Sequence, residues 1–269
     1  MADERYEQPV AGIDATVPSV ARIYDYLLGG KDNFAVDREV AEAILRQEPD
    51  GRAVVWANRR FLGRAVEFLA KAGIRQFLDL GTGLPSRNNV HEVAQRVCPD
   101  ARVVYVDNDP VVLAHARALL ATDQSTVVIG EDMRAPEQIL AHPTVQQMID
   151  FSRPVAVLFV STLPFVTDDE DPWGVVSAMT ESLIPGSYLA LSHSVLDGRP
   201  ADVVADIQER YKNASAPFLF RSRDAITRFF DGFELVDPGL AHLTEWRSDE
   251  LERAQPGGEW ALAGVGRKP

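Results

Sequence analysis

A glycine turn between two apolar segments constrains the fold of this chain more than any other feature. The turn, Gly81-Thr82-Gly83, follows the apolar run Phe77-Leu78-Asp79-Leu80, and 24 residues after Gly83 a second apolar run ends in Asp107. This pattern predicts a buried strand, a turn that opens a helix, and a second buried strand, as in a mononucleotide-binding βαβ unit. The glycines would let the backbone approach a ligand, and Asp107 would accept hydrogen bonds from both hydroxyls of a ribose. The sequence therefore predicts a nucleoside-containing ligand.

Departures from the dinucleotide-binding pattern indicate which ligand this is. Ser86, preceded by Pro85, replaces the third glycine of G-x-G-x-x-G, which disfavours a pyrophosphate. Asp79 puts an anion where a dinucleotide site usually has an apolar residue, and it suits a ligand with a cationic amine. S-adenosylmethionine (SAM) carries an adenosine, a sulfonium, an amino group and one carboxylate, so it fits best. The alternative is that Gly81 to Gly83 form only a strand-to-helix turn and that Asp107 only begins a turn.

Composition and charge narrow the possible functions without naming one. The chain has 269 residues, 46% hydrophobic and 25% charged, which predicts a globular protein with one large α/β domain and an appended segment. A net charge of −13 argues against a nucleic-acid partner, since such proteins usually present clustered Lys and Arg to phosphates. We therefore expect a small-molecule acceptor, with a protein acceptor as the other possibility.

The termini and the cysteine content add expectations about location and metals. The first residues, Met1 to Arg5, form no basic leader, and no window approaches the roughly 20 apolar residues of a membrane span. We expect a cytoplasmic protein without a membrane partner. Cys98 is the only cysteine, which excludes internal disulfides and cysteine-rich zinc sites. We predict no metal site, and we expect Cys98 to lie in the core.

The order of predicted elements divides the chain at about residue 73. We predict that residues 1–72 form a loose arm over 1–17 followed by helices over 18–28, 36–47 and 51–72. Residues 73–269 alternate between strands and helices and would form the SAM-binding domain. The predicted strands are 75–80, 102–107, 126–130, 154–161, 186–193, 232–236 and 259–265. The predicted helices are 86–97, 110–121, 135–150, 172–184, 201–213 and 223–230.

This alternation predicts an α/β fold with a doubly wound, Rossmann-like sheet. Strands separated by helices pair in parallel through right-handed crossovers. The last two predicted strands have no helix between them, so they can pair antiparallel. Seven strands that are mostly parallel, with the last antiparallel and a helical extension in front, form the class I methyltransferase layout. That layout favours SAM over NAD.

The residues after each strand are candidate ligand contacts, because ligands bind beyond the carboxyl ends of such strands. Asn108 follows the second strand. Asp132 would accept a hydrogen bond from the adenine amino group and Met133 would flank the ring, although Asp132 could equally cap a helix. The segment from Val160 to Phe165, after the fourth strand, would line the methyl-transfer centre. The alternative for Ser161 and Thr162 is that their hydroxyls only satisfy backbone groups there.

His193 is the predicted general base if the acceptor must lose a proton. It lies in Ser192-His193-Ser194, at the end of the fifth predicted strand. The alternative is a structural histidine whose ring is held by hydrogen bonds. We predict in-line attack of an acceptor oxygen, nitrogen or carbon on the methyl group, a reaction that depends mainly on alignment in a dry site.

Several longer segments are specific enough to compare with known families. They are RIYDYLLGGKDNF (Arg22 to Phe34), FLDLGTGLP, NVHEVAQ, ARVVYVDNDPVVLAHARALL, RSRDAITRFFDGFELVDPGL and the final GVGRKP. Together they closely resemble a bacterial, largely actinobacterial, family of SAM-dependent methyltransferases that was long described as a domain of unknown function. The resemblance extends from about residue 18 to the end of the chain. It implies the fold and SAM as the cofactor, and it leaves the acceptor open.

The resemblance also gives the helices before residue 73 a predicted role as a lid over the cofactor. Tyr24, Tyr26 or Phe34 would face the sulfonium, and Asp32 and Asn33 would bind the methionine end of SAM. The alternative is that the tyrosines belong to the core of an amphipathic helix and that Asp32-Asn33 cap the next helix.

One segment departs from the family pattern. Members often carry a histidine in a V-L-H-F-like segment after the fourth strand, whereas this chain has Leu163-Pro164-Phe165 there. A non-catalytic, SAM-binding regulatory protein is therefore the first alternative to a methyltransferase. The second is an NAD-dependent oxidoreductase, which the glycines and Asp107 alone would allow but which Asp79 and Ser86 disfavour.

Overall fold

A computed structural model describes residues 13–86, 88–120 and 124–269, with the side chains of 119 and 120 left out. The first 12 residues of the predicted arm over 1–17 lie outside the described residues. None of the helices in these ranges is long and apolar enough to cross a membrane.

Three helices precede the sheet, as the sequence predicts. They are α1 (Val20–Leu27), α2 (Ala35–Gln47) and α3 (Gly51–Lys71). Helix α1 stops at the predicted glycine pair, where Gly29 has a φ of 83° that favours glycine over other residues. Helix α3 buries one face against the sheet, where Phe61 and Ala65 are fully buried. It therefore supplies part of the main core.

The strands are β1 (Gln76–Leu80), β2 (Arg102–Asp107), β3 (Thr126–Gly130), β4 (Ala156–Val160), β5 (Tyr188–Ser194), β6 (Glu234–Leu235), β7 (Ala241–His242) and β8 (Ala261–Arg267). They form a mostly parallel sheet in the order β3-β2-β1-β4-β5-β8-β6, with the short β7 also paired to β8. Strands β1 to β5 pair in parallel, whereas β8 pairs antiparallel with β5, β6 and β7.

Helices cover both faces of this sheet, and the sheet separates two apolar cores. Residues that alternate along a strand enter opposite cores, so Phe77 packs on the face that carries α3, and Leu78 packs on the other face. The remaining helices are α4 (Val90–Val97), α5 (Pro110–Leu120), α6 (Pro136–Ala141), α7 (Pro143–Met148), α8 (Pro172–Glu181), α9 (Ala201–Tyr211), α10 (Arg223–Thr227) and α11 (Glu250–Arg253).

The predicted doubly wound fold is confirmed, and several elements differ locally from the prediction. The described sheet has eight strands because β7, only two residues long, joins the seven predicted strands. The helix predicted over 135–150 is two helices, since His142 is extended (φ −62°, ψ 128°) before Pro143. Helix α4 begins four residues later than predicted, after Asn89, whose side chain forms a capping box with Glu92.

Candidate functional site

A cavity of about 380 Å³ lies beyond the carboxyl ends of the first four strands. We call it the strand-end cavity. Its volume is within the range of small-molecule sites. Ten of the predicted site residues line it, and Thr162 does as well; Asn33, His193 and the predicted lid residues Tyr26, Asp32 and Phe34 do not. The ten are Tyr24, Asp79, Gly81, Thr82, Gly83, Asp107, Asn108, Asp132, Met133 and Ser161.

The glycine turn brings the backbone against the cavity. Gly81 and Gly83 have φ values of 72° and 67°, a region that glycine adopts without strain. The Gly81 amide donates to the Val106 carbonyl oxygen at 2.8 Å, which fixes the turn to the end of β2. A Cβ atom on Gly81 would overlap the Thr162 side chain. Glycine is therefore required at position 81 for both conformation and space.

Asp107 links the glycine turn to the start of α5. Its Oδ2 accepts from the Gly83 amide at 2.8 Å and its Oδ1 accepts from the Asp109 amide at 2.9 Å. The side chain is nearly buried, and burial raises the pKa of its carboxyl above the usual value. Each carboxylate oxygen has a further lone pair available for a ligand hydroxyl. The geometry is compatible with the predicted ribose contact.

Asp79 is a nearly buried acid at the end of β1 and faces the same cavity. Its pKa is raised to about 7, mainly by burial; the charge of Arg59 acts to lower this pKa and the charge of Asp107 acts to raise it. A cation bound in the cavity would favour the ionised carboxylate. Arg59 also lines the cavity and was not identified from the sequence.

Asp132 is held by basic and amide groups at the end of β3. It accepts from the Arg134 guanidinium at 2.6 Å and from the Asn108 amide at 3.2 Å, and Arg134 holds its pKa below the usual value. Its Oδ1 also accepts from the Arg134 backbone amide at 2.9 Å, which closes a turn before α6. Asp132 therefore stabilises this turn as an ionised acceptor, and the adenine contact remains a prediction.

Helix α1 covers the strand-end cavity through Ser19, Val20, Ala21 and Tyr24. Its first turn is anchored by the Ser19 hydroxyl, which donates to Asp109, and by the Ser19 amide, which donates to Asp37 at 2.8 Å. The sequence analysis placed this helix near the cofactor but missed Ser19, because the contact with Asp109 joins residues that are 90 positions apart.

Asn33 does not line the strand-end cavity, and its predicted contact with the methionine end stays a prediction. Its amide nitrogen donates to Asp25 at 2.8 Å and its amide oxygen accepts from Arg38 at 3.1 Å. Asp25 also accepts from the Asp32 amide at 3.0 Å, and a side chain at Gly30 would overlap it. Asp25 thus organises the GGKDNF loop, and Asn33 is held within that loop.

Of the three aromatic residues predicted to face the sulfonium, Tyr24 lines the cavity. Tyr26 instead donates to Glu42 and carries the Arg52 guanidinium over its ring. The Phe34 ring lies 4.9 Å from the Arg22 guanidinium, between α1 and α2. The alternative prediction that the tyrosines belong to helix packing therefore describes Tyr26 better than Tyr24.

Ser161 and Thr162 line the cavity where β4 ends. Ser161 adopts a left-handed φ of 60°, which turns the chain away from the strand. The Thr162 hydroxyl is buried and has no hydrogen-bond partner within the described part of the chain. The alternative that Thr162 only satisfies backbone groups is therefore not supported.

His193 does not line the strand-end cavity; it lines a second, smaller cavity described below. Its Nδ1 donates to the Ser194 carbonyl oxygen at 2.9 Å, and its Nε2 accepts from Arg221 at 2.8 Å. Burial lowers the pKa of its imidazole to about 3. Both ring nitrogens are engaged and the neutral form is favoured, so the geometry matches the structural alternative.

A second, smaller cavity of about 100 Å³ adjoins the first, and we call it the aromatic chamber. Four residues line both spaces and define their junction: Tyr24, Asn58, Ser161 and Phe165. Phe165, Tyr211, Phe218, Phe220 and Trp260 give the chamber its aromatic wall. These residues come from separate parts of the chain. Phe165 belongs to the segment after β4 that the sequence predicts at the methyl-transfer centre, whereas the other four were not predicted as site residues.

Asn58 organises the junction through a chain of hydrogen bonds. Its amide nitrogen donates to the Tyr24 hydroxyl at 2.9 Å, and its amide oxygen accepts from the Ser192 hydroxyl at 2.6 Å. The Tyr24 hydroxyl in turn donates to the Val55 carbonyl oxygen at 3.2 Å. The sequence signal that could have identified Asn58 is a polar residue on the buried face of α3.

Within the described ranges, no cluster of three or more potential metal ligands is present.

Comparisons with known proteins agree with this architecture. The sequence matches the S-adenosyl methyltransferase family over residues 6–269. A candidate methyltransferase from Thermobifida fusca YX is 47% identical, with 97% of this chain and 99% of that chain covered and a TM-score of 0.90. A DUF574 family protein from Streptomyces avermitilis MA-4680 is 39% identical, with 95% of this chain and 99% of that chain covered and a TM-score of 0.91.

More distant structures share the fold alone. An O-methyltransferase family protein from Burkholderia thailandensis is 15% identical, with 83% of this chain and 61% of that chain covered and a TM-score of 0.52. Among curated proteins, none matches the sequence. The family match covers nearly the whole chain and includes the glycine turn, both buried aspartates and the helices that cover the cavity. The chain therefore belongs to the S-adenosyl methyltransferase family.

Proposed function

We propose that this protein binds SAM in the strand-end cavity and transfers its methyl group to a small-molecule acceptor. The observation that carries the proposal is the pair of nearly buried carboxyl groups, Asp79 and Asp107, on either side of the glycine turn. Family membership supports the same cofactor. An anionic phosphate would meet two acids here, whereas the ribose and the amino group of SAM are both hydrogen-bond donors.

Each part of SAM has a proposed contact. Asp107 accepts from the ribose hydroxyls, and Asp79 faces the cationic amino group. Asp132 accepts from the adenine amino group beside Met133. Tyr24 then lies towards the sulfonium, since it lines both the strand-end cavity and the aromatic chamber.

Methyl transfer follows from this orientation. The acceptor's lone pair forms a bond to the methyl carbon while the S–CH₃ bond breaks, and the sulfur keeps the electron pair as a neutral thioether. The proton of the methylated atom leaves to water. The protein contributes mainly by holding the two reactants in line and by excluding water around the sulfonium.

A non-catalytic SAM-binding role is the second candidate, and Pro164 favours it. Where related proteins often have a histidine, Pro164 lies in a short 3₁₀ helix, and its carbonyl oxygen accepts from the Leu219 amide at 2.8 Å. Its ring has no group that exchanges protons. A protein of this kind would bind SAM and its demethylated product S-adenosylhomocysteine (SAH) without turnover.

Calorimetric titration with SAM, SAH and NADH tests the proposed cofactor. We expect micromolar binding of SAM and SAH and no heat with NADH. Binding of NADH instead of SAM would favour the oxidoreductase alternative. If none of the three ligands binds, the proposal is contradicted. Incubation of the SAM-bound protein with an acceptor panel, followed by mass spectrometry for SAH, separates the enzyme from the regulatory alternative, because only the enzyme produces SAH in step with a methylated acceptor.

A further inference from the structure

The proposed contacts of SAM leave most of the aromatic chamber unused, and the chamber adjoins the strand-end cavity where the methyl group would lie. It shares four lining residues with the strand-end cavity and extends from that junction towards Trp260. We propose that this chamber receives the methyl acceptor and that the acceptor is a small, neutral molecule with a single aromatic ring. This inference rests on the proposed function, since the junction matters only if SAM occupies the neighbouring cavity.

The chamber wall is suited to a planar ring. Phe218 stacks on Tyr211 with ring centroids 5.0 Å apart and planes 25° apart, and it lies 5.3 Å from the Phe165 ring. Phe220 meets Phe218 edge to face at 5.2 Å and also lies 6.1 Å from Trp260. Aromatic rings in these arrangements favour another ring by offset-stacked or edge-to-face contacts.

The chamber's volume limits the size of its occupant. An apolar cavity of roughly 150 Å³ accommodates benzene, and this chamber has about 100 Å³. The chamber is smaller than that, so a single ring enters only if a wall residue moves, and a larger ring system is disfavoured. Phe218 is the residue best able to move, because it is partly exposed and lies on the loop between α9 and α10.

The polar groups of the chamber disfavour an anionic occupant and favour one with a hydrogen-bonding substituent. Glu48 is the charged side chain among the described lining residues, so an anionic acceptor would be repelled. Tyr211 is 6% exposed, and its hydroxyl has no hydrogen-bond partner within the described part of the chain. Burial raises the pKa of this hydroxyl, so it stays protonated and can donate. A ring hydroxyl or amino group would give it a partner.

The transfer step then joins two adjoining spaces. A nitrogen or oxygen lone pair on the ring attacks the methyl carbon at the junction, the S–CH₃ bond breaks towards sulfur, and the proton of the methylated atom is released to water. Phenol and aniline represent the two nucleophiles, and their comparison shows which atom the chamber prefers.

Ligand-observed saturation-transfer NMR tests this inference in the presence of saturating SAH. We expect transfer from the protein to phenol and aniline and none to benzoate, which is anionic at neutral pH. Phe218→Trp places a larger ring in the chamber, and we expect it to reduce affinity for phenol and aniline by at least about tenfold. Tyr211→Phe removes one hydroxyl, and we expect a loss of about 2- to 10-fold. Trp56→Phe, at an exposed position outside both spaces, is the matched control.

Calorimetry with SAH distinguishes failure of this inference from failure of the proposed function. Phe218 and Tyr211 do not line the strand-end cavity, so both variants should bind SAH as the unmodified protein does, which also shows that they are folded. If SAH binds and the two probes give no signal, or if Phe218→Trp leaves their signal unchanged, the chamber is not an aromatic acceptor site. Binding of benzoate as strong as that of phenol would overturn the neutral class. Absence of SAH binding would instead contradict the proposed function.

Discussion

The strand-end cavity and the aromatic chamber share a boundary but are built in different ways. The cavity is built largely from the ends of four strands and the short segments that follow them, and its polar groups include backbone amides and carboxylates. The chamber collects aromatic side chains from helices and loops between Tyr24 and Trp260. The difference indicates that the two spaces have different roles. A polar cavity of fixed backbone geometry suits a constant cofactor, whereas a wall of side chains can change with the acceptor.

The largest effect should come from Gly81→Ala, which tests whether the cavity depends on backbone geometry. The added Cβ is strained at a φ of 72° and overlaps Thr162. We expect a loss of about 2–4 kcal/mol in the free energy of unfolding and at least about a 100-fold loss of SAM affinity. Denaturant unfolding and calorimetry measure the two effects.

Gly83→Ala is the matched control, because its φ is 67° and no atom lies within 4 Å of the added Cβ. We expect this variant to lose only about 1–2 kcal/mol from backbone strain. Adding Thr162→Ser to Gly81→Ala removes the overlapping methyl group and should recover part of the loss. Equal costs for the two glycine variants would refute the role of close packing at Gly81.

Asp107→Ala should have the next largest effect on SAM affinity. The variant loses charge-assisted bonds to the ribose worth roughly 1.5–3 kcal/mol, which corresponds to about 10- to 150-fold. It also leaves the Gly83 and Asp109 amides without their acceptor, so the protein should be less stable. Asp100→Ala, an exposed acid before the start of β2, is the control and should bind SAM normally. Unchanged affinity in folded Asp107→Ala would remove Asp107 from the site.

Asp79 should make SAM binding depend on pH. Its pKa is raised to about 7 by burial, so it loses its charge, and its attraction for the amino group, as the pH falls from 8 to 6. We expect affinity to fall by roughly tenfold over this range. Asp79→Asn should bind more weakly at pH 8 and show a flatter profile in calorimetry. An equally steep profile in the variant would assign the pH dependence to another group.

The same carboxyl should affect the stability of the ligand-free protein in the opposite direction. Because its folded pKa is raised, its contribution to folding is fully present below the unfolded value of 3.8 and is lost as the pH rises through about 7. Asp79→Asn resembles the protonated form, so it should raise the Tm at pH 8 more than at pH 5. A larger increase at pH 5 would contradict a raised pKa.

The smallest effect on SAM affinity should come from His193→Ala. His193 accepts from the buried Arg221, so its loss should destabilise the protein by about 1–3 kcal/mol. Arg221 also donates to the Leu163 carbonyl oxygen at 3.0 Å and pairs with Asp168 at 2.7 Å, which keeps the loop after β4 in place. We expect SAM affinity to change by less than about twofold. A large loss of affinity with unchanged stability would restore a role for His193 in the site.

The parts of the fold that sequence predicted well are those fixed by local pattern. Apolar runs bounded by turns locate β1 and β2, and the turn residues explain where α1 ends. The break between α6 and α7 also had a local sequence signal, since Pro143 disfavours a helical conformation at His142. Strand β7 had no local sequence signal, because a segment of two residues has no periodicity. It is a strand only because it pairs with β8.

The site residues also differ in whether a local sequence pattern predicts them. Asp79, Gly81 and Asp107 were predictable because a strand end and its turn lie within a few residues of each other. Asn58 and Ser192 are 134 positions apart and meet only in the folded chain. The predicted contact of Asn33 with the methionine end stays a prediction: its sequence neighbours indicated a polar loop, and the contacts with Asp25 and Arg38 hold its side chain within that loop.

A crystal structure of the complex with SAH tests the central claim most directly, since it locates both ends of the cofactor. The account predicts that the ribose hydroxyls lie on Asp107, that the amino group lies near Asp79, and that the sulfur faces the junction lined by Tyr24, Asn58 and Phe165. The aromatic chamber would then remain open beside the sulfur. A nucleoside bound away from Asp107, or a sulfur directed away from the junction, would contradict the division between a cofactor cavity and an acceptor chamber.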